Sequence, residues 1–172
     1  MDSTCRYNYH PECEAAVNRQ INLKLTNSYV YLSVAYFFDR HDQALPGFSQ
    51  FFKKLSDKYR DYAFSVMKMQ NQRGGRLVLK PIAMPDKNDW ENGLVAMNHA
   101  FALETAMNQS TLDLHIIAQR CNDHHLCEFI ESNFFDQQLT LLKELKDHIS
   151  LLSLVGTGLS EYLYYKEMCS RC

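Results

Sequence analysis

PGFSQFFKKLSDKYRDYAFSVMKM (46–69) is the stretch that decides the fold. Its residues Phe48, Phe52, Leu55, Tyr59, Tyr62, Val66 and Met69 recur at alternating steps of three and four. That spacing puts them all on one face of an α-helix, which must be buried against a neighbour. Pro46 is well placed to open this helix, because its missing N–H costs nothing in a first turn. Upstream, Val17, Ile21, Ser28, Tyr31, Ala35 and Phe38 follow the same rhythm, and Lys24 fills the one gap in it. Downstream, Trp90, Leu94, Met97, Phe101 and Glu104 begin a third stripe. Leu126, Ile130, Phe134, Gln137, Leu141, Leu145 and Leu152 trace a fourth. Strand-like alternation is not sustained anywhere, so the chain is all-α.

The breaks fix the connections. HDQALP (41–46) and Asn122-Asp123-His124 are short links, which join antiparallel neighbours. RGGRLVLKPIAMPDKND (73–89) carries two glycines and two prolines and is long enough to run the length of a bundle. Asp89 is a candidate N-cap for the third helix. Gly156-Thr157-Gly158 ends the fourth helix, and LSEYLYYKEM (159–168) reads as a short fifth. Helices are thus expected at about 11–40, 46–73, 89–121, 124–155 and 159–168, in a single domain spanning 1–172.

Composition narrows the function classes. The 172 residues suffice for one sizeable core, and 46% of them are hydrophobic. A formal net charge of -2 argues against a nucleic-acid binder. No apolar run approaches the roughly 18 residues of a membrane helix. The polar start MDSTCRYNYH lacks the apolar stretch of a secretory signal, so a cytoplasmic protein is expected. Six cysteines are scattered along the chain: Cys5, Cys13, Cys121, Cys127, Cys169 and Cys172. They read as free thiols, and the metal or redox spacing of Cys169-x-x-Cys172 is a weak signal at a chain end.

Several segments are similar to animal ferritins almost word for word. These are EAAVNRQINL (14–23), SYVYLSVAYFFDR (28–40), MKMQNQRGGR (67–76), NQSTLDLH (108–115), HLCEFIES (125–132), KELKDH (143–148) and GLSEYL (158–163). The match runs in order along nearly the whole chain and resembles heavy-type more than light-type subunits. The resemblance implies a ferritin-like four-helix bundle with one long crossover and a short fifth helix. It also implies a shell of twenty-four subunits around a mineral cavity, with stored iron as cargo.

Active ferritin subunits oxidise iron at a centre built from inward-facing carboxylates, a histidine, a tyrosine and a glutamine. By register the resemblance places that centre at Lys24, Tyr31, Tyr59, Tyr62, Glu104 and Gln138. Tyr31, Glu104 and Gln138 keep the family residue, whereas Lys24, Tyr59 and Tyr62 replace two carboxylates and the imidazole. The stripes independently turn Lys24, Tyr59, Tyr62 and Glu104 inward. A lysine and a glutamate in one core are costly apart. A Lys24–Glu104 ion pair is therefore expected, completed by the hydroxyls of Tyr59 and Tyr62. The alternative is a Lys24 stem that bends along the core and reaches the end of the cavity or solvent. One remaining carboxylate, Glu104, is a vestige that does not hold two irons, and no ferroxidase activity is expected.

The resemblance further maps a three-fold cation channel onto His115, Cys127, Glu128 and Glu131, where rings of carboxylates would attract divalent cations. The matching nucleation surface is Lys53, Lys54, Asp57, Lys58 and Asp61, whose mixed charge is poor for concentrating ferric ions. Leu159, Leu163 and Glu167 fall where a four-fold pore would be lined. The leading expectation is a non-catalytic storage subunit, assembling with itself or with active heavy chains. The rival classes are a residual ferroxidase with tyrosine ligands and a shell or bundle used for something other than iron.

Overall fold

The computed structural model describes residues 6–156 and 158–171, with side chains as far as Glu167. Thr157, Cys5, Cys172 and the side chain of Cys169 lie outside what is described, so the chain-end cysteine reading lies there too. The helices are α1 (Pro11–Phe38), α2 (Pro46–Gln72), α3 (Gly93–Arg120), α4 (His124–Ile130), α5 (Asp136–Val155) and α6 (Leu159–Arg171). A single π-helical turn, Glu131–Phe135, joins α4 to α5 into one long rod. No strand occurs among the described residues. No helix there is long and apolar enough to cross a membrane.

The rod and α1 to α3 form the four-helix bundle. Helices α1 and α2 pack closely, α3 packs on α5, α1 on α3, and α6 lies against α2 and α5. The core stripes read from the sequence are the buried ones: Phe48, Phe52, Leu55, Tyr59, Val66 and Met69 on α2 face Val17, Ile21, Tyr31, Ala35 and Phe38 on α1. The crossover is pinned along α1 by its amides. Asn18 donates to the Arg76 carbonyl at 3.0 Å and accepts from the Val78 N–H at 3.1 Å. Asn22 donates to the Pro81 carbonyl at 3.1 Å. At the far end of α2, the Arg73 guanidinium grips both oxygens of buried Asp123 at 2.9 and 3.0 Å. Asp123 in turn caps α4 through the Leu126 N–H at 3.0 Å, so one carboxylate fixes the start of the last rod.

Two expectations are corrected. Helix α3 begins at Gly93, not at Asp89: Asn92 is the N-cap, accepting from the Val95 N–H at 3.0 Å. Asp89 instead accepts from the Glu91 N–H at 3.0 Å. Glu91 has φ +59°, a left-handed conformation that no right-handed helix continues through. Trp90 is fully buried all the same, from the loop. The fourth stripe also slips by one residue. Leu126, Ile130, Phe134 and Gln138 are the buried positions, and Gln137 is exposed. A recurrence of every four residues drifts around a helix of 3.6 per turn, and the wider π turn absorbs the drift.

Candidate functional site

Midway along the bundle, side chains from three helices converge. Helix α1 supplies Lys24 and Tyr31, seven apart and so on one face; α2 supplies Tyr59 and Tyr62, three apart; α3 supplies Glu104. Glu104 is fully buried, and both its oxygens are taken. The Tyr31 hydroxyl donates to Oε1 at 2.5 Å and the Tyr59 hydroxyl to Oε2 at 2.5 Å. The two rings lie 5.7 Å apart. Burial, and then the nearby Glu104 charge, push both phenols well above their ordinary range, so they remain protonated donors. Burial raises the Glu104 carboxyl too, against the lowering pull of the two tyrosine hydrogen bonds and of Lys24.

Lys24 does not meet Glu104, which corrects the expected ion pair. Its Nζ is buried with no hydrogen-bond partner. It lies 4.0 Å from the centroid of the Phe134 ring, 5.4 Å from that of Tyr62 and 5.9 Å from that of Tyr59. Three ring faces therefore take the place of an oxygen, a cation–π arrangement strengthened by burial. Burial pulls the ammonium down to about 8, with the Glu104 charge partly opposing. Nor does the Lys24 stem reach solvent, since the residue is 1% exposed. The Tyr62 hydroxyl turns outward to the amide oxygen of Gln137 and leaves Glu104 to the other two phenols. Gln138 is buried but donates to the Thr111 hydroxyl at 2.9 Å, away from Glu104.

Phe134 and Gln137 are thus site residues that the register did not single out for these roles. The signal for Phe134 was its place in the every-four recurrence, which forces the π turn. As a donor set, one carboxylate bridged by two phenols and flanked by a buried ammonium does not fit two hard cations, which call for several oxygen anions.

A second group lies on the surface. His115 Nε2 and Glu131 Oε1 are 2.6 Å apart, and the His115 ring packs beside Phe135 with centroids 5.4 Å apart. Cys127 is half-buried, its thiol raised by burial and then by the Glu131 and Asp123 charges. Glu128 is exposed on the preceding turn. On α2, Asp57 is bound by Lys53 at 2.7 Å and Arg60 at 3.2 Å, so its charge is answered within its own helix.

A four-helix bundle with a long crossover and a short extra helix thus encloses a buried centre of Lys24, Tyr31, Tyr59 and Glu104. The model of the ferritin-like domain matches residues 14–155. The soma ferritin of Lymnaea stagnalis is 50% identical over 168 residues, covering 98% of this chain and 97% of that protein. The chain belongs to the ferritin family.

Proposed function

We propose that this chain is a heavy-type-like, cytoplasmic iron-storage subunit that builds a twenty-four-subunit cage without oxidising iron at its own bundle centre. One observation carries the reading: a buried ammonium, Lys24, stands where an oxidation centre needs a carboxylate, and its Nζ lies against ring faces with no hydrogen-bond partner. Tyr59 and Tyr62 occupy two further ligand positions, and Tyr59 closes off one oxygen of Glu104, the remaining carboxylate. An arriving ferrous ion would meet a positive charge and a carboxylate each of whose oxygens already accepts a phenol hydrogen bond. The storage role is the part shared with the family. Iron is cargo, and divalent cations enter by the surface group of His115, Cys127, Glu128 and Glu131 once three subunits meet. In the cell the chain would co-assemble with active heavy chains and set how many oxidation centres a cage contains.

The deciding measurement is the initial rate of aerobic Fe(II) oxidation by purified assembled protein against a buffer blank. A rate equal to the blank is expected. A faster, saturable rate would overturn the proposal and return the tyrosine-ligated ferroxidase. Light scattering on the same sample checks assembly, because a failure to form a shell would favour a role apart from iron storage.

A further inference from the structure

At the end of the bundle remote from α6, three residues distant in sequence meet. His10 caps α1, its Nδ1 accepting the Glu12 N–H at 3.2 Å. Glu12 lies in the first turn of α1, and Cys121 caps the end of α3. One ligand atom from each of His10, Glu12 and Cys121 lies within 4.8 Å of the others. From this geometry we propose a surface site for a borderline divalent cation of the zinc class, held by the His10 imidazole, the Glu12 carboxylate and the Cys121 thiolate.

The ligand chemistry selects the ion. A thiolate and an imidazole favour Zn(II) and similar borderline cations over the hard ions that carboxylates and water alone would take. Three protein ligands leave a fourth tetrahedral position for water. His10 and Glu12 are exposed and Cys121 is half-buried, so the ion has a path in from solvent. Glu12 also pairs with Arg120, through Oε2, and its two oxygens let one carboxylate serve both cations. Cys13 is fully buried beside Cys121. The site lies apart from the bundle centre and does not depend on whether that centre oxidises iron.

Co(II) is the probe, added to the assembled full-length protein under reducing conditions, with Zn(II) as competitor. The expected result is a thiolate-to-cobalt absorption band saturating at one cobalt per subunit and abolished by zinc. Cys121→Ser should remove the band. His10→Asn keeps a side chain able to cap α1 but deletes the imidazole, and should weaken cobalt binding by more than about tenfold. A reduced wild-type protein without the band, a band surviving Cys121→Ser, or unchanged affinity in His10→Asn would each overturn the site.

Discussion

An ammonium at 1% exposure ordinarily has an oxygen to bond; that of Lys24 has the faces of Phe134, Tyr62 and Tyr59. Ring quadrupoles recover part of the lost hydration, yet its lowered pKa says that the protonated form is still disfavoured. Replacing it with an apolar side chain of similar length should therefore stabilise the fold. Lys24→Met is expected to gain about 2 kcal/mol at pH 7. The pH dependence follows from the shift. With the folded-state value drawn from 10.5 to about 8, the unfolded chain binds more protons between those limits. This residue's penalty is then complete below about 8 and lifts as pH rises toward 10.5. Thermal unfolding of wild type and Lys24→Met at pH 7 and pH 10 checks it. The advantage of the variant should shrink at the higher pH, and an advantage that grew would sink the account.

Among the elements, α6 docks on α2 and α5, and one of its ties is specific. The Glu161 carboxylate accepts the Gly93 N–H at 3.0 Å, placing a negative charge at the N-terminus of α3 where unpaired N–H groups attract it. Buried Tyr165 and a hydrogen bond between His148 and Tyr164 add to the docking. Glu161→Ala is expected to cost about 1 kcal/mol of that docking, seen as roughly fivefold faster hydrogen exchange in α6. Acceleration spread evenly over α1 to α5, or none in α6, would refute it. The helices themselves were legible in the sequence because each hides one face, and a repeat of three and four states this directly. The start of α3 was not, because it turns on the left-handed φ of Glu91, a conformation that residue type does not announce. The centre was legible by position only. Stripe arithmetic says that Lys24 and Glu104 point inward, but not whether a stem ends at a carboxylate or at a ring. That outcome depends on Phe134, which the π turn carries into place.

For the whole molecule, the subunit leaves large apolar side chains in water: Leu154 is 83% exposed, Met84 76% and Leu159 74%. Every residue of the centre comes from one chain, since Lys24, Tyr31, Tyr59 and Glu104 lie on α1, α2 and α3 of a single bundle. Exchanging an active heavy subunit for this one should therefore delete one oxidation centre and leave the neighbouring centres intact. In the proposed cage the cation channels would behave differently, because each would be shared by three subunits and Glu128 and Glu131 would go on supplying carboxylates to it. In cages reassembled from measured mixtures, the initial rate of Fe(II) oxidation per cage is expected to fall in proportion to the fraction of this chain. It should reach the buffer blank when the chain is pure. A rate held level until the mixture is mostly this chain would mean that entry, rather than the number of centres, limits oxidation. A fall steeper than proportional would mean that the chain impairs its neighbours, and the independence of the bundles would have to be given up.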